Sequence, residues 1–454
     1  MSQRSEGGLS IRKYAAVSAV LMVLIMTVLD VTLVNVSLPV MATEMNISDS
    51  MTIWIVTVYQ LVITMLLLPL SSIGDLYSYR RIFLVGVVLF TVSSGLCALS
   101  GSFLMILLSR ALQGVGAACV MSVNIALTRL IYPKEVIGRG LALNAMIIAI
   151  ATATGPTIAG IILSVASWHW LFMINIPFGI VAFFVGKKLL PHNPPGEVHP
   201  HFDFVSAIEN IIVFGLIFLA LGNFNRKGAL TLNLILLAIG VTIGVFYIRR
   251  QLGRDVPLLP VDLFRIRLFS LSICTSVCSF IAQNLTMITL PFLFLNRFGL
   301  SEIMAGMLMT PMPLATMIVS PLAARFVERH NPSITVATGM AIYTLGIVLL
   351  VTLTPAEASA SAIAWRMTVC GIGFGLFQTP NNVVMVNATP IKRTGGAGGM
   401  QSTARLVGQT LGATLVTLIF AITDDGTSER LCLYCACVAA ITAGIMSLTR
   451  TARV

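Results

Sequence analysis

Charged residues are scarce in this sequence. Asp, Glu, Lys and Arg make up only 10% of the 454 residues, whereas 57% are hydrophobic. A soluble protein carries roughly 25% charged residues to keep its surface in water, so this composition excludes a soluble globular protein. Apolar runs of roughly 16 to 27 residues recur along the chain, and each can cross about 30 Å of hydrocarbon as a helix. The sequence therefore predicts an all-α polytopic membrane protein with fourteen spans.

The predicted spans are numbered here in chain order. Spans 1 to 7 run from Tyr14 to Ser37, Ile53 to Leu70, Ile82 to Leu99, Phe103 to Leu127, Gly140 to Val165, Trp170 to Val185 and Phe204 to Leu221. Spans 8 to 14 run from Ala229 to Ile248, Leu268 to Phe294, Ile303 to Ala324, Ser333 to Leu353, Ala362 to Val386, Ala397 to Ile422 and Leu431 to Leu448.

A phosphate-binding loop of the form Gly-x4-Gly-Lys-Ser/Thr is absent from the sequence, which argues against ATP hydrolysis. The longest polar connections, Pro191 to Asp203 and Arg249 to Arg267, are too short to hold a nucleotide-binding domain. No nucleophile has a base placed to activate it, so the sequence does not predict an enzyme. An ion gradient is then the expected energy source, since one charge crossing the membrane yields about 2.3 kcal/mol per 100 mV.

The eight cysteines all fall within predicted spans. The cluster from Cys432 to Cys437 has a spacing similar to that of some metal sites, but no histidine is near it in the sequence. Cysteine in an apolar setting usually packs as a small hydrophobic residue. The sequence therefore predicts no metal site, and it gives no indication of a cofactor.

Basic residues are distributed unevenly between the two sides of the membrane. Twenty-one of the 28 Lys and Arg residues fall on the side that carries both termini. Because positive charge accumulates on the cytoplasmic side, we expect both termini in the cytoplasm and the protein in the cytoplasmic (inner) membrane. Anionic lipid headgroups account for the net charge of +11, so this charge does not indicate a nucleic-acid partner.

An internal repeat organises the chain. At a constant offset of 257 residues, six Gly, Pro and Asn residues recur in the second half without a gap. The matching pairs are Gly114 with Gly371, Gly116 with Gly373, Asn124 with Asn381, Pro133 with Pro390, Gly138 with Gly395, and Gly155 with Gly412.

The repeat predicts two six-helix bundles, residues 1–190 and 262–454. Residues 191–261 then hold the inserted spans 7 and 8 with their flanking loops. Two parallel halves of this kind are typical of secondary transporters, in which the substrate is bound between the halves near the middle of the membrane.

Asp30 is a carboxylate within the otherwise apolar span 1. A charge at this depth costs about 3 kcal/mol on insertion scales, so it usually has a function. Arg110 in span 4 lies at about the same depth, and the two opposite charges are predicted to pair. We interpret the pair as a proton-coupling site. The alternative is a purely structural salt bridge between the two spans.

Polar side chains within spans are candidates for a substrate cavity between the halves. They are Asn35, Tyr59, Gln60, Gln113, Asn124, Gln283, Asn284, Gln378, Asn381 and Asn382. Amides within spans commonly form hydrogen bonds between helices, so about half of this set is expected to contact neighbouring helices instead.

Four other charged residues have two interpretations each. Glu209 extends toward the cytoplasm or has a function, and Glu302 stabilises the start of span 10 or binds substrate. Arg366 and Arg405 pair with carbonyl groups or lipid headgroups, or they attract an anionic substrate. The structural interpretation is favoured for all four.

Five segments resemble signatures of the fourteen-span drug:proton antiporter family of the major facilitator superfamily. They are Leu29–Pro39, Trp54–Tyr59, Arg110–Ala117, Gly155–Gly160 and Trp168–Pro177, the last with His169 where Arg is usual. Gly155, Pro156 and Gly160 belong to the segment that resembles the antiporter motif of span 5. The resemblance implies a role in antiport for these three residues, and ordinary helix packing is the alternative.

The resemblance implies a proton-coupled antiporter that exports small amphipathic or lipophilic compounds, monocations included, by alternating access. Its expected partners are the small-molecule substrate, protons and the lipid bilayer, and a monomer is expected. The alternatives are proton-linked uptake or exchange of a metabolite by the same fold, and a sensor that does not transport.

One motif departs from the superfamily pattern. Between spans 2 and 3 the superfamily reads roughly Gly-x-Leu-Ala-Asp-Arg-x-Gly-Arg-Arg. This chain keeps Asp75 and Arg80, with Arg81 next to it and Gly74 in place of Ala. The positions that depart from the pattern are Ser71, Leu76, Ser78 and Tyr79, where Gly, Arg, Gly and Arg are expected. The resemblance therefore implies a gating contact here, in an altered form.

Overall fold

The computed structural model describes residues 11–132, 137–192, 202–223, 230–254, 257–327, 330–354, 359–389, 394–423 and 427–450. Over these ranges the chain is helical throughout, with no β-strand. Fourteen helical segments are long and apolar enough to cross a membrane. The predicted fold class is therefore confirmed: an all-α membrane protein with two six-helix bundles and two inserted helices.

The observed helices give each span its bounds. The first seven spans are Ile11–Met45, Asp49–Leu76, Tyr79–Ala98, Phe103–Ile131, Ile137–Val165, His169–Met173 together with Asn175–Leu189, and Phe204–Gly222. The other seven are Leu230–Leu252, Arg267–Phe292, Glu302–Met309 together with Pro311–Val327, Pro332–Val351, Ala360–Asn387, Thr394–Ile422 and Ser428–Leu448. A 3₁₀ helix, Val261–Arg265, precedes span 9, and a π-helix, Leu293–Arg297, extends it.

Proline residues interrupt the helices of spans 6 and 10. Pro177 has no amide hydrogen to donate, and its ring clashes with the carbonyl group four residues earlier, at Met173. The first helix of span 6 ends at Met173, and the second begins at Asn175. Span 10 breaks after Met309 in the same way, because Pro311 suits the first position of a new helix. The sequence prediction treated both spans as continuous.

Serine side chains fix the beginnings of several spans. Ser48, Ser78, Ser102, Ser301 and Ser359 each accept a hydrogen bond from the amide three residues further along the chain. Such N-caps satisfy amide groups that have no partner within the helix, and each is worth about 1 kcal/mol. The boundaries of these spans are thus determined locally.

The repeated glycines pack in matching ways in the two halves. A side chain at Gly114 of span 4 would collide with the backbone of span 2, and one at Gly371 of span 12 would collide with the backbone of span 10. Likewise, Gly116 lies against the backbone of Phe90 in span 3, and Gly373 lies against that of Tyr343 in span 11. The repeat therefore places glycine where two helix backbones approach each other closely.

The third glycine pair in the described part behaves in the same way. Gly155 of span 5 packs against Thr32 of span 1, and Gly412 of span 13 packs against Asn284 of span 9. Two partners of the predicted repeat, Pro133 and Pro390, lie outside the described residues.

The inserted spans 7 and 8 pack together beside the bundles. Span 7 contacts span 2 of the first half and span 13 of the second. Asn210 of span 7 donates a hydrogen bond to the carbonyl oxygen of Met65 in span 2 at 2.8 Å. The predicted domain boundary at 261/262 falls within the 3₁₀ helix Val261–Arg265. Both domain boundaries stay a prediction.

Hydrogen bonds join the two halves from the middle of the spans outward. We call the side where span 1 begins the terminus side and the opposite side the far side. Of the bonds below, the first two lie near the middle of the spans and the other two lie progressively closer to the far side. They are Thr64 to Thr410 (3.0 Å), Gln60 to Asn284 (3.2 Å), Thr157 to Thr310 (2.6 Å) and Asp49 to Asn296 (3.5 Å). The halves are therefore in contact on the far side.

Candidate functional site

Asp30 and Arg110 form an ion pair inside the first bundle. An Nη1 atom of Arg110 lies 2.5 Å from Oδ2 of Asp30, and both side chains are 0% exposed. Asp30 comes from span 1 and Arg110 from span 4, as the matching depths predicted. Since Gly114 and Gly116 let span 4 approach spans 2 and 3 closely, the guanidinium group lies within the bundle and away from lipid.

Two amides complete the surroundings of the Asp30 carboxylate. Nε2 of Gln113 donates to Oδ1 of Asp30 at 2.9 Å, and Nδ2 of Asn175 donates to the same oxygen at 3.2 Å. Ser94 of span 3 accepts a hydrogen bond from Gln113 at 2.9 Å and so helps to orient this amide. Every contact with the carboxylate is therefore a donor, and each one stabilises its negative charge. We call Asp30, Ser94, Arg110, Gln113 and Asn175 the acid cluster.

Arg110 has several further contacts within the same bundle. Its Nε donates to the carbonyl oxygen of Ile55 in span 2 at 3.1 Å, and its Nη1 also donates to Gln113 at 2.5 Å. The guanidinium group lies over the ring of Tyr59, 4.1 Å from the ring centre. Such a cation–π contact is worth about 2 kcal/mol in a desolvated place. Arg110 therefore links the carboxylate of span 1 to span 2.

Two buried polar atoms in and next to the acid cluster make no hydrogen bond in the part of the chain that the structure describes. Nη2 of Arg110 and the hydroxyl group of Tyr59 are buried without a hydrogen-bond partner. A buried donor without a partner costs about 1 to 3 kcal/mol. The arrangement is therefore not a fully satisfied structural network.

Ser94 and Asn175 were not among the predicted site residues. Asn175 begins the second helix of span 6, where the break caused by Pro177 lets its amide reach Asp30. The local sequence Asn175-Ile176-Pro177 carried this signal, because an amide beside a proline-induced break in a membrane span is unusual. Ser94 gave no comparable signal, since serine is common in spans.

The predicted cavity residues separate into groups. Gln113 belongs to the acid cluster, and Tyr59 lies beneath Arg110. Asn381 is fully buried and donates to the backbone of Ser272 and to the hydroxyl group of Ser276. Protein groups surround these three side chains in the described conformation, and their place in a substrate cavity stays a prediction.

Five more candidates lie apart from the acid cluster. Gln60 and Asn284 bond to each other across the interface. Asn35 and Asn124 are buried, and the side-chain oxygen of each has no hydrogen-bond partner within the described ranges. Gln283 is only partly buried. These five amides do not converge on one pocket in the described conformation.

Gln378 and Asn382 do line a pocket. The other residues of this pocket are Phe280, Gln401, Ser402 and Arg405. It lies between spans 9, 12 and 13 of the second half. We call this group the Arg405 pocket. It brings together two of the ten predicted cavity residues and one arginine of undecided role.

The residues of the antiporter-like motif contact two different partners. Gly155 packs against span 1 of its own half, as described above. Gly160 lies against the backbone of Glu302 in span 10, and the carbonyl oxygen of Pro156 lies against Gly306. Pro156 and Gly160 therefore form part of the contact between the halves on the far side.

The altered gating motif makes contacts within the first half. Gly74 packs against Val123, and Asp75 accepts a hydrogen bond from Tyr79 at 2.7 Å. Arg80 donates to the carbonyl oxygen of Lys187 and contacts the ring of His192, which ties the start of span 3 to the end of span 6. The side chain of Arg81 is exposed. A role in gating stays a prediction for all four.

Three of the four charged residues with two interpretations have a structural setting that accounts for their charge. Glu209 pairs with Arg250 at the end of span 8, at 3.0 Å. Glu302 is the first residue of a helix, where a carboxylate is favourable. Arg366 donates to the carbonyl oxygen of Ala362 at 2.6 Å and lies over the ring of Trp365. Arg405 differs, because no hydrogen bond or ion pair to it occurs in the described part of the chain.

No cluster of metal-binding side chains occurs among the residues that the structure describes. All eight cysteines are free thiols. The acid cluster itself consists of a carboxylate, a guanidinium group, two amides and a hydroxyl group.

Comparison with known proteins decides the family. The family model of the Major Facilitator Superfamily matches residues 20–413 and, in a second match, residues 272–451. The chain belongs to the Major Facilitator Superfamily. It is therefore a multi-pass membrane transporter of a small-molecule substrate, and the family expected from its motifs is confirmed.

Three relatives show the range of this group. The chain is 47% identical to the uncharacterized transporter YebQ of Escherichia coli (strain K12), over 96% of this chain and 95% of YebQ. It is 28% identical to the riboflavin transporter RibZ of Clostridioides difficile (strain 630), over 87% and 86%. It is also 28% identical to the multidrug resistance protein Stp of Mycobacterium tuberculosis (strain CDC 1551 / Oshkosh), over 89% and 75%.

Proposed function

We propose that this transporter is a proton-coupled antiporter that exports small amphipathic compounds, with Asp30 as the group that carries the proton. The observation that supports this most strongly is the acid cluster. Asp30 is the one fully enclosed acidic side chain in the described ranges, and its contacts all stabilise its charged form. A carboxylate held so firmly in one conformation can release its proton there and bind one in another.

The cluster is connected to the contact between the halves through span 2. Tyr59 lies beneath Arg110, and the next residue, Gln60, bonds to Asn284 of the second half. One turn further along, Thr64 bonds to Thr410. If the halves separate on the far side, these bonds break and span 2 is free to shift. The support that Ile55 and Tyr59 give to Arg110 then changes as well.

The proposed cycle follows from these contacts. In the described conformation the far side is closed and Asp30 is paired with Arg110, so the proton has left. When the far side opens, the pair loosens and Asp30 takes a proton from that side. With the terminus side in the cytoplasm of an inner-membrane protein, as the basic residues predict, this cycle imports a proton for each export step.

The described part of the second half offers no carboxylate to a cationic substrate near the Arg405 pocket. A substrate without a positive charge therefore fits better than the lipophilic monocation that the sequence left open. The similarity to the multidrug resistance protein Stp supports drug export. The similarity to the riboflavin transporter RibZ supports the alternative, a carrier that takes up or exchanges a metabolite by proton coupling.

Transport into everted membrane vesicles tests the proposal. We expect wild-type vesicles to accumulate at least one of four probes, ethidium, rhodamine 123, fluorescein or riboflavin, and to lose it when nigericin collapses the pH gradient. Asp30→Asn keeps the shape of the side chain but cannot ionise, so gradient-driven accumulation should disappear. Glu44→Gln is the matched control, because Glu44 is exposed near the far end of the same span. It should behave like the wild type.

Three outcomes separate the alternatives. Gradient-driven accumulation that persists in Asp30→Asn with unchanged pH dependence contradicts the proton-coupling role. Uptake that runs with the proton, in the opposite direction, supports the metabolite carrier. Wild-type vesicles that move none of the probes, although the purified protein binds one of them, support the sensor that does not transport.

A further inference from the structure

Arg405 has no hydrogen-bond or ion-pair partner among the described residues of the second half. It lies about three turns into span 13 from the terminus side, and its buried Nε atom has no hydrogen-bond partner. The other two arginines within spans are both engaged, since Arg110 is paired with Asp30 and Arg366 is bonded to a backbone carbonyl group. Arg405 is therefore the exception among the three.

A cation in this position needs a counter-charge. An arginine within a membrane helix is costly to bury, and pairing with an opposite charge lowers that cost. The neighbours that share the Arg405 pocket are amides, a hydroxyl group and an aromatic ring, and none carries a negative charge. A water-filled pocket would hydrate Arg405, but an anion would satisfy both its charge and its free donors.

The pocket has the composition of a binding site for one charged group. Gln378 and Asn382 are one turn apart on span 12, Gln401 and Ser402 precede Arg405 on span 13, and Phe280 of span 9 supplies an apolar wall. Its volume of about 60 Å³ holds a few water molecules or one carboxylate-sized group, because a single water molecule needs about 10 to 15 Å³. It is too small for a whole amphipathic substrate.

The pocket lies next to the contact between the halves. Leu406, the residue after Arg405, packs into a cluster with Met26, Tyr59 and Leu67 of the first half. One turn beyond it, Thr410 bonds to Thr64. The Arg405 pocket is thus on the terminus side of the closed region, where a solute from that side arrives first.

We infer that Arg405 and the amides of Gln378, Asn382 and Gln401 form a subsite for an anionic group of the transported compound, a carboxylate or sulfonate attached to an apolar body. The inference rests on the proposed transport function and names its substrate class. The guanidinium group supplies the charge and paired donors, the amides supply further donors, and Phe280 contacts the apolar body.

Two dyes with the same ring system but opposite charge provide the test. Fluorescein is an anion at pH 7.4, and rhodamine 123 is a cation. We expect purified wild-type protein to bind fluorescein more tightly in a fluorescence-anisotropy titration. Arg405→Gln should weaken fluorescein binding by about tenfold or more, because it removes the positive charge and the charge-assisted hydrogen bonds to the anionic group. Arg405→Lys should have a smaller effect, and rhodamine 123 binding should not weaken.

Arg366→Gln is the matched control, since it also removes an arginine from a span of the second half, one whose side chain is bonded to its own helix. It should leave fluorescein binding unchanged. Size-exclusion chromatography shows whether Arg405→Gln folds, and Arg405→Lys keeps the test valid if it does not. Because Asp30→Asn should still bind fluorescein while losing proton coupling, a failure of this inference is distinct from a failure of the antiport proposal.

Several results would overturn the inference. One is a wild-type protein that binds fluorescein no more tightly than rhodamine 123, and another is an Arg405→Gln variant with unchanged fluorescein affinity. A third concerns inorganic anions. If chloride stabilises the wild type but not Arg405→Gln against heat, while fluorescein affinity is the same in both, the pocket binds a small inorganic anion and not the substrate.

Discussion

The two bundles share their backbone packing but differ in the chemistry at matching positions. The glycine contacts of spans 4 and 12 place Arg110 opposite Met367 and Gln113 opposite Cys370, at the repeat offset of 257 residues. In spans 3 and 11, the matching contacts of Phe90 and Tyr343 place Ser94 opposite Ile347. In spans 1 and 9, the contacts of Gly155 and Gly412 place Asp30 opposite Ala282.

All four counterparts are apolar and fully buried. Ala282, Ile347, Met367 and Cys370 lie in the main hydrophobic cluster, each at 0% exposure. The second bundle therefore packs these helices together without an ion pair. The fold itself does not require a charge here, which weighs against a purely structural role for Asp30 and Arg110.

Nearer the terminus side, Asn381 of the second half makes polar contacts that its repeat partner in the first half does not make in the described conformation. Asn381 donates to span 9 and accepts a hydrogen bond from Arg450, the residue that follows span 14 closely, at 2.9 Å. Its repeat partner Asn124 has a buried side-chain oxygen without a partner. The polar contacts that join spans 9, 12 and the chain after span 14 through Asn381 thus have no equivalent at the side-chain oxygen of Asn124 among the described residues.

The largest effect is expected when the charged residues of the first half are replaced by the apolar residues at the matching positions of the second half. Arg110→Met alone leaves the Asp30 carboxylate buried without its ion-pair partner, which should cost about 3 to 5 kcal/mol. The double variant Asp30→Ala with Arg110→Met should recover most of this loss but show no proton coupling. Thermal unfolding and vesicle transport measure the two effects. A double variant that transports with the pH dependence of the wild type would show that the pair is structural.

The matching glycines offer a second test. Gly116→Ala and Gly373→Ala should each destabilise the protein by about 1 to 3 kcal/mol, because the added methyl group collides with a neighbouring backbone. Gly398→Ala is the control, since open space surrounds Gly398 in span 13. It should be neutral or gain up to about 1 kcal/mol from helix propensity. Unequal losses at Gly116 and Gly373, by thermal unfolding, would show that the two halves are packed differently.

Asn175→Ala should have a smaller effect. It removes one of the three donors to Asp30 and should cost about 1 kcal/mol of stability. It should also shift the pH profile of vesicle transport, which a merely structural hydrogen bond would not do. Asn381→Ala is the comparison in the second half: it should lower stability, because it strands Arg450, but leave the pH profile in place. If Asn381→Ala shifts the pH profile of transport and Asn175→Ala does not, the assignment of proton coupling to the first half is wrong.

The smallest effect is expected at the inserted spans. Burial raises the pKa of Asp203, but this effect is outweighed by hydrogen bonds from Ser206 and by the positive charge of the nearby Arg254. The pKa of Asp203 therefore lies below its usual value. A lowered pKa in the folded state means that the stabilisation is present above about pH 4 and is lost as the pH falls below it. Asp203→Asn should cost under about 1 kcal/mol at pH 7, because this ion pair is partly exposed. A larger loss in thermal unfolding at pH 7 would contradict this view.

The sequence predicted the fourteen spans and the Asp30–Arg110 pair, because apolar length and matching depth are both local properties. It did not predict the break in span 6 that brings Asn175 to Asp30. It also assigned Gln113 and Asn381 to the substrate cavity, since an amide does not reveal which neighbour its helix face meets. The missing partner of Arg405 depends on how spans 9, 12 and 13 meet, which residue spacing alone does not determine.

Proton movement itself is the most direct test of the role of Asp30. Everted vesicles that hold a pH gradient, followed with a pH-sensitive acridine dye, should lose part of that gradient when a transported probe is added. We predict this loss for the wild type and Glu44→Gln, and none for Asp30→Asn. A probe-dependent proton flux of wild-type size in Asp30→Asn would contradict the account.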